Sequence, residues 1–108
     1  NITIECKQSN SENEIIEWIQ NAKNNFKAIV INAGGYTHTS VSIRDALKLF
    51  DELVIEIHMS NIHSREDFRH KSMISGVSSG IIIGFGDQSY YLAVNAAINK
   101  ISGVKNYG

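Results

Sequence analysis

At 108 residues the chain is one domain at most, long enough to close a core with little surplus to stabilise it. Ten Lys plus Arg against eleven Asp plus Glu leave a net charge of -1, so no broad basic surface points to nucleic acid or an anionic membrane. Cys6 is the only cysteine, no apolar run approaches the roughly 18 residues of a membrane span, and no charged-then-apolar leader opens the chain. These features argue against a disulfide framework or a cysteine-rich zinc cluster and fit a soluble protein of a reducing, cytoplasmic compartment.

In chain order, "NITIECK" lacks an initiating Met and alternates Ile2 and Ile4 with Thr3 and Glu5, which predicts a strand in progress with something lying upstream of it. Ser11 and Glu14 then form a capping-box pattern ahead of Ile15, Ile16, Ile19, Ala22 and Phe26 at helical spacing. "AIVIN" is a short, branched, apolar run expected of a strand buried on both faces, ending at Gly34 and Gly35. From Ser40 a second helix carries the stripe Ile43, Ala46, Leu47 and Phe50. "LVIEIH" and "GIIIGFG" are two more strands, and Asp87 is placed to cap a last helix with the stripe Tyr90, Val94, Ala97, Ile98 and Ile101. This alternation predicts an α/β fold, a parallel sheet covered on both faces by right-handed crossovers.

In open sheets of this kind ligands bind outside the carboxyl ends of the strands. Asn32 and His58 end two strands, and "NAGGYTHTS" and "HMSNIHSRE" follow them directly. An ordinary polar turn explains either segment alone; two converging on one sheet edge point to a site. Residues two apart on a strand share a face, so Glu56 and His58 stand side by side, where a carboxylate stabilises the charged imidazole and makes it a competent acid near neutrality. A pair that merely neutralises itself is the competing reading.

Four histidines, His38, His58, His63 and His70, with Asp45 or Glu56 as oxygen donors, invite a metal reading. No two of them lie four apart on a helix with a glutamate between, so no metal is expected. "GFG" lacks the rest of a dinucleotide fingerprint, since Ser89 stands at its third glycine position, and reads as a tight turn packing helix on strand. Arg65, Arg69, His70 and Lys71 alternate with Glu66 and Asp67 as a solvated surface does, though a single arginine dipping toward the strand ends would grip hydroxyl or carboxylate groups. Asp45 lies opposite the apolar stripe of its helix and so faces away from its own sheet, either as a surface acid or toward a neighbouring subunit.

"QSNSENEIIEWI", "VINAGGYTHTSVSIRDAL", "IEIHMSNIHSREDFRHKS" and "GIIIGFGDQSYYLAV" together resemble the type II 3-dehydroquinases of the shikimate pathway, over about residues 7 to 98. The resemblance implies a flavodoxin-like three-layer fold and trimers packed into a dodecamer. It implies a hydro-lyase, without cofactor or metal, that takes 3-dehydroquinate to 3-dehydroshikimate through an enolate in aromatic amino acid biosynthesis. It further implies a catalytic set of His58 as general acid, Glu56 orienting it and Asn32 holding the histidine and a substrate hydroxyl. The amides of Met59 and Ser60 with the Ser60 hydroxyl would receive the substrate carboxylate, His38 and Arg69 the ring hydroxyls, and Asp45 would reach the adjoining subunit's site.

Two departures stand out. Ala33 replaces the family's usual proline, which softens only a turn. Nothing before residue 7 matches the family's first strand with its asparagine, or its mobile loop with an arginine and the tyrosine that acts as base; Tyr36 occupies an aromatic position that is not the base. Residues 1–108 are therefore expected to be a single flavodoxin-like domain incomplete at its amino-terminal side. In the family's strand order the absent strand lies between those at Ile2 and Ile29, and each backbone group it leaves unpaired and buried costs on the order of 1 to 3 kcal/mol. The alternative function is a non-catalytic remnant that binds a small polyhydroxy acid or serves in assembly.

Overall fold

The computed structural model describes residues 2–103 and is α/β, with three parallel strands in the order β1 (Ala28–Ile31), β2 (Leu53–His58) and β3 (Gly80–Ile83). Ile31 pairs with Glu56 and Glu56 with Ile81, so β2 is the central strand. Helices α1 (Glu12–Ala22) and α2 (Val41–Lys48) cover one face, where Ile19, Ala22, Ile43, Ala46, Leu47, Phe50 and Val54 form the larger core. Helix α3 (Gln88–Ile101) covers the other face, packing Ala93 and Ala97 on Ile55 and Ile57. The strands are near-continuous apolar runs, and cover on both faces is most complete at β2, while Ile81 of β3 stays exposed. Among the described residues no helix is long and apolar enough to cross a membrane.

The helix starts follow their sequence signals, with two corrections. At α1 the Ser11 hydroxyl accepts from the Glu14 amide at 3.2 Å, but the reciprocal bond comes from Ser9, whose hydroxyl accepts the Ser11 amide at 2.9 Å. The helix ends before Phe26 because Asn24 turns left-handed, at a φ of 68°. At α3 the Asp87 side chain makes no capping bond. Its backbone is already helical rather than extended, so its carboxylate is not aimed at the free amides. The buried line of α3 is Ser89, Ala93 and Ala97; Ala97 is as expected, but Ser89 and Ala93 replace Tyr90 and Val94, and Tyr90 and Ile101 are exposed. Small residues let the helix approach the sheet closely, which a row of Tyr and Ile side chains would prevent.

At α2 the buried Ser40 hydroxyl accepts from the Ile43 amide at 2.9 Å. Ser40→Ala is expected to lower stability by about 1 kcal/mol in denaturant unfolding, with loss of an N-cap as the cause.

The opening strand does not form. Residues 2–9 carry no strand structure, with Ile2 and Ile4 exposed, and a groove of about 1070 Å³ lies between residues 5–10 and the outer edge of β1. A strand exists only where its amides and carbonyls find a ladder partner, and alternation in the sequence does not supply one. The segment is held instead by the Tyr36 hydroxyl, which donates to the Asn10 carbonyl at 2.7 Å, and by Lys7 Nζ over the Trp18 ring at 5.4 Å.

Candidate active site

The carboxyl end of β2 sets the site. Val54, Glu56 and His58 share the face covered by α1 and α2, because strand side chains alternate, and Val54 belongs to that core. Glu56 is fully buried and His58 is 5% exposed. The His58 imidazole Nε2 lies 2.5 Å from Glu56 Oε2.

A buried carboxylate needs partners for its lone pairs, and Glu56 has three. Besides His58, the Ser72 hydroxyl donates to Oε2 at 2.9 Å and the Ser75 hydroxyl to Oε1 at 2.5 Å. Burial by itself pushes the Glu56 pKa up; the bonds from His58, Ser75 and Ser72, with the attraction of the imidazole, outweigh it and hold the carboxyl below its usual range. An ionised carboxylate only accepts, so Nε2 of His58 carries the proton of that bond. Nδ1 is left as the ring nitrogen able to exchange a proton with a ligand.

Around this pair the turns at the strand ends converge. The 3-10 turn Gly34–His38 brings the His38 ring to 6.3 Å from that of His58, nearly parallel at 20°. His38 Nδ1 donates to the Lys71 carbonyl at 2.8 Å, which leaves Nε2 as an acceptor in the neutral ring. The Phe68 ring meets His38 edge-on at 6.1 Å, and the Arg69 guanidinium lies 4.8 Å above Phe68. Arg69 Nε donates to Glu66 at 3.1 Å, and the exposed Glu66 carboxyl is held low by its own backbone amide and by this arginine.

After His58, the turn at Gly84 and Gly86 grips the chain. The amide of Gly84 donates to the His58 carbonyl at 2.9 Å and that of Gly86 to the Met59 carbonyl at 2.8 Å. Gly84 has a φ of 93°, a conformation that favours glycine, and a β-carbon added to it would meet the Asn61 side chain at 3.7 Å. The "GFG" motif thus serves as the tight turn expected of it. Met59 and Ser60 stand exposed at the strand mouth, and among the described residues their amides bond no protein acceptor. The Ser60 hydroxyl accepts from Arg65 at 3.4 Å.

The remaining candidates lie at different removes. Asn32 is exposed at the end of β1; its carbonyl oxygen accepts the Gly34 amide at 3.1 Å and its amide nitrogen reaches the Tyr90 hydroxyl at 3.5 Å. Asp45 projects from α2 into solvent, 3.1 Å from Arg44. His63 and His70 pair with each other at 5.8 Å, on the exposed side of the loop. Ser72, Ser75 and Phe68 escape sequence reasoning, since spacing cannot show which hydroxyls a crossover folds back over a strand.

Known proteins similar to this chain in sequence and fold share one family. The family profile for dehydroquinase class II matches residues 1–98. The 3-dehydroquinate dehydratase of Rhizobium johnstonii is 46% identical over 98 residues, covering 91% of this chain and 68% of that protein. That of Dictyoglomus turgidum is 53% identical over 95 residues, covering 88% and 66%. The crystal structure of the type II dehydroquinase from Butyrivibrio crossotus superposes with a TM-score of 0.85 at 46% identity, over 87% of this chain and 66% of that one. The chain thus spans about two thirds of the length of these relatives. With its parallel sheet, its helices on both faces and a family match over residues 1–98, the chain belongs to the flavodoxin-like, class II dehydroquinase family of hydro-lyases.

Proposed function

We propose that the protein carrying this chain removes water from 3-dehydroquinate to give 3-dehydroshikimate, a step of the shikimate pathway toward aromatic amino acids. The observation that carries the reading is the buried His58–Glu56 pair at the mouth of the central strand, inside a sequence that matches dehydratases along nearly its whole length. A base takes the proton beside the ketone, the C–H electron pair becomes an enolate, and collapse of the enolate expels the ring hydroxyl. Hydroxide is a poor leaving group, so His58 gives it a proton from Nδ1 and water departs. Ionised Glu56, bonded to Nε2, favours the charged imidazole needed for that step. The base is the family's loop tyrosine, which matches no residue before position 7.

The amides of Met59 and Ser60, which have no protein acceptor among the described residues, donate with the Ser60 hydroxyl to the substrate carboxylate in charge-assisted bonds. His38, through Nε2, and Arg69, on exchanging Glu66 for the ligand, hold ring hydroxyls. Asn32 holds a further hydroxyl and the imidazole on leaving Tyr90. Asp45 points outward from α2, as a residue completing a neighbouring subunit's site in a trimer-based dodecamer would. Residues 1–108 belong to one dehydroquinase domain, incomplete at its amino-terminal side, that works in the cytoplasm without cofactor.

The test is the absorbance of the conjugated enone formed when the intact purified protein meets 3-dehydroquinate. Turnover is the expected result; tight binding of 3-dehydroquinate without turnover favours the binding-protein alternative instead.

A further inference from the structure

Glu56 is gripped from outside its own strand in a way the reaction scheme does not use. The segment after His70 folds back over the end of β2, anchored where the Met73 amide donates to the Thr37 carbonyl at 2.7 Å and where Ile74 is fully buried. Its first hydroxyl, Ser72 Oγ, accepts the amides of Ile74 and Ser75, both at 3.1 Å. With its lone pairs so occupied, the Ser72 hydroxyl has only its proton left to offer, and that proton goes to Glu56 Oε2. Ser75, in the 3-10 turn Ser75–Val77, donates to the other oxygen.

We propose that Ser72 and Ser75 form a two-hydroxyl clamp that positions Glu56 for His58, holding each carboxylate oxygen in place so that the imidazole presents Nδ1 to the substrate. The proposal rests on the dehydratase reading for its catalytic consequence, though not for its geometry. All the contacts to the carboxylate are donors, so protonating Glu56 forces one of them to break or turn. The clamp therefore selects the ionised acid, and the ionised acid fixes the tautomer of His58. The titratable groups around it are His58 on the same strand and, beyond the His58 ring, His38 from the turn after β1. Both hydroxyl protons are spent on Glu56, so both serines act through it.

The test uses the intact protein with Ser72→Ala, Ser75→Ala and the double variant, together with Ser75→Thr, which keeps a hydroxyl. Carbon-13 titration of the Glu56 carboxyl, assigned by comparison with Glu56→Gln, reads the clamp without turnover. Each alanine variant is expected to move that titration to higher pH, the double variant furthest, and Ser75→Thr to return it toward the parent. In parallel, kcat falls on the order of tenfold per lost donor. The acid limb of the kcat profile moves up in pH with the titration. An unmoved Glu56 titration in a folded Ser75→Ala variant overturns the proposal, as does a loss of kcat with an unmoved acid limb, which is the mark of a merely structural role. A shifted titration in a protein whose parent turns over no 3-dehydroquinate leaves the clamp standing and removes the dehydratase reading.

Discussion

His58→Ala is expected to abolish nearly all dehydration of 3-dehydroquinate, lowering kcat by about 10² to 10⁴-fold, the usual worth of a positioned acid. The loss should appear in kcat more than in KM, because His58 acts on a hydroxyl that becomes strongly basic only as the C–O bond breaks. The imidazole is buried, so the alanine variant also leaves a small cavity and takes one of three donors from Glu56. His58→Asn separates the two effects: its amide fills much of the ring's volume but transfers no proton at neutral pH. Both variants should keep the parent's circular dichroism and bind a carboxylate-bearing substrate analogue. Retained turnover in either one removes His58 from the role of acid, and with it the reading of the pair.

The sequence makes legible those parts of the fold in which neighbouring residues carry their own signal. Branched apolar runs mark β1, β2 and β3, although only the central β2 is buried nearly throughout and Ile81 of β3 stays 46% exposed. Ser11 and Ser40 mark the starts of α1 and α2 through bonds to amides only three residues ahead. The placement of Glu56 beside His58 follows from strand periodicity alone. Illegible parts depend on partners distant in the chain. The alternation at Ile2 and Ile4 carries no record of whether a ladder partner lies alongside, and here none does among the described residues. The α3 stripe holds at Ala97 but is misread at its start, because the choice between Tyr90 and Ser89 is made by how close the helix can come to β2, a tertiary distance. Ser72 and Ser75 look like any two polar residues of a turn until the crossover lays them on a glutamate 16 and 19 residues back.

Glu56→Gln is the second large effect, and it couples stability to activity. The amide removes the charge and turns one of the two acceptor atoms into a donor, which faces either the Ser75 hydroxyl or the Ser72 and His58 donors. Breaking a buried pair in this way costs about 3–5 kcal/mol at neutral pH. The pH dependence carries a definite sign. Glu56 has a folded pKa below its unfolded value of 4.5, so the stability it contributes is complete above that value and is lost as pH falls through the folded one. Denaturant unfolding of the intact protein should therefore show the gap between parent and Glu56→Gln wide at pH 7 and narrowing steadily below pH 4.5. A gap that stays constant through the acid range would assign the cost to packing and remove ionised Glu56 as the group that holds this face together. At neutral pH kcat should fall on the order of 10 to 100-fold, less than for His58→Ala, because an unaided imidazole still carries a transferable proton in part of its population.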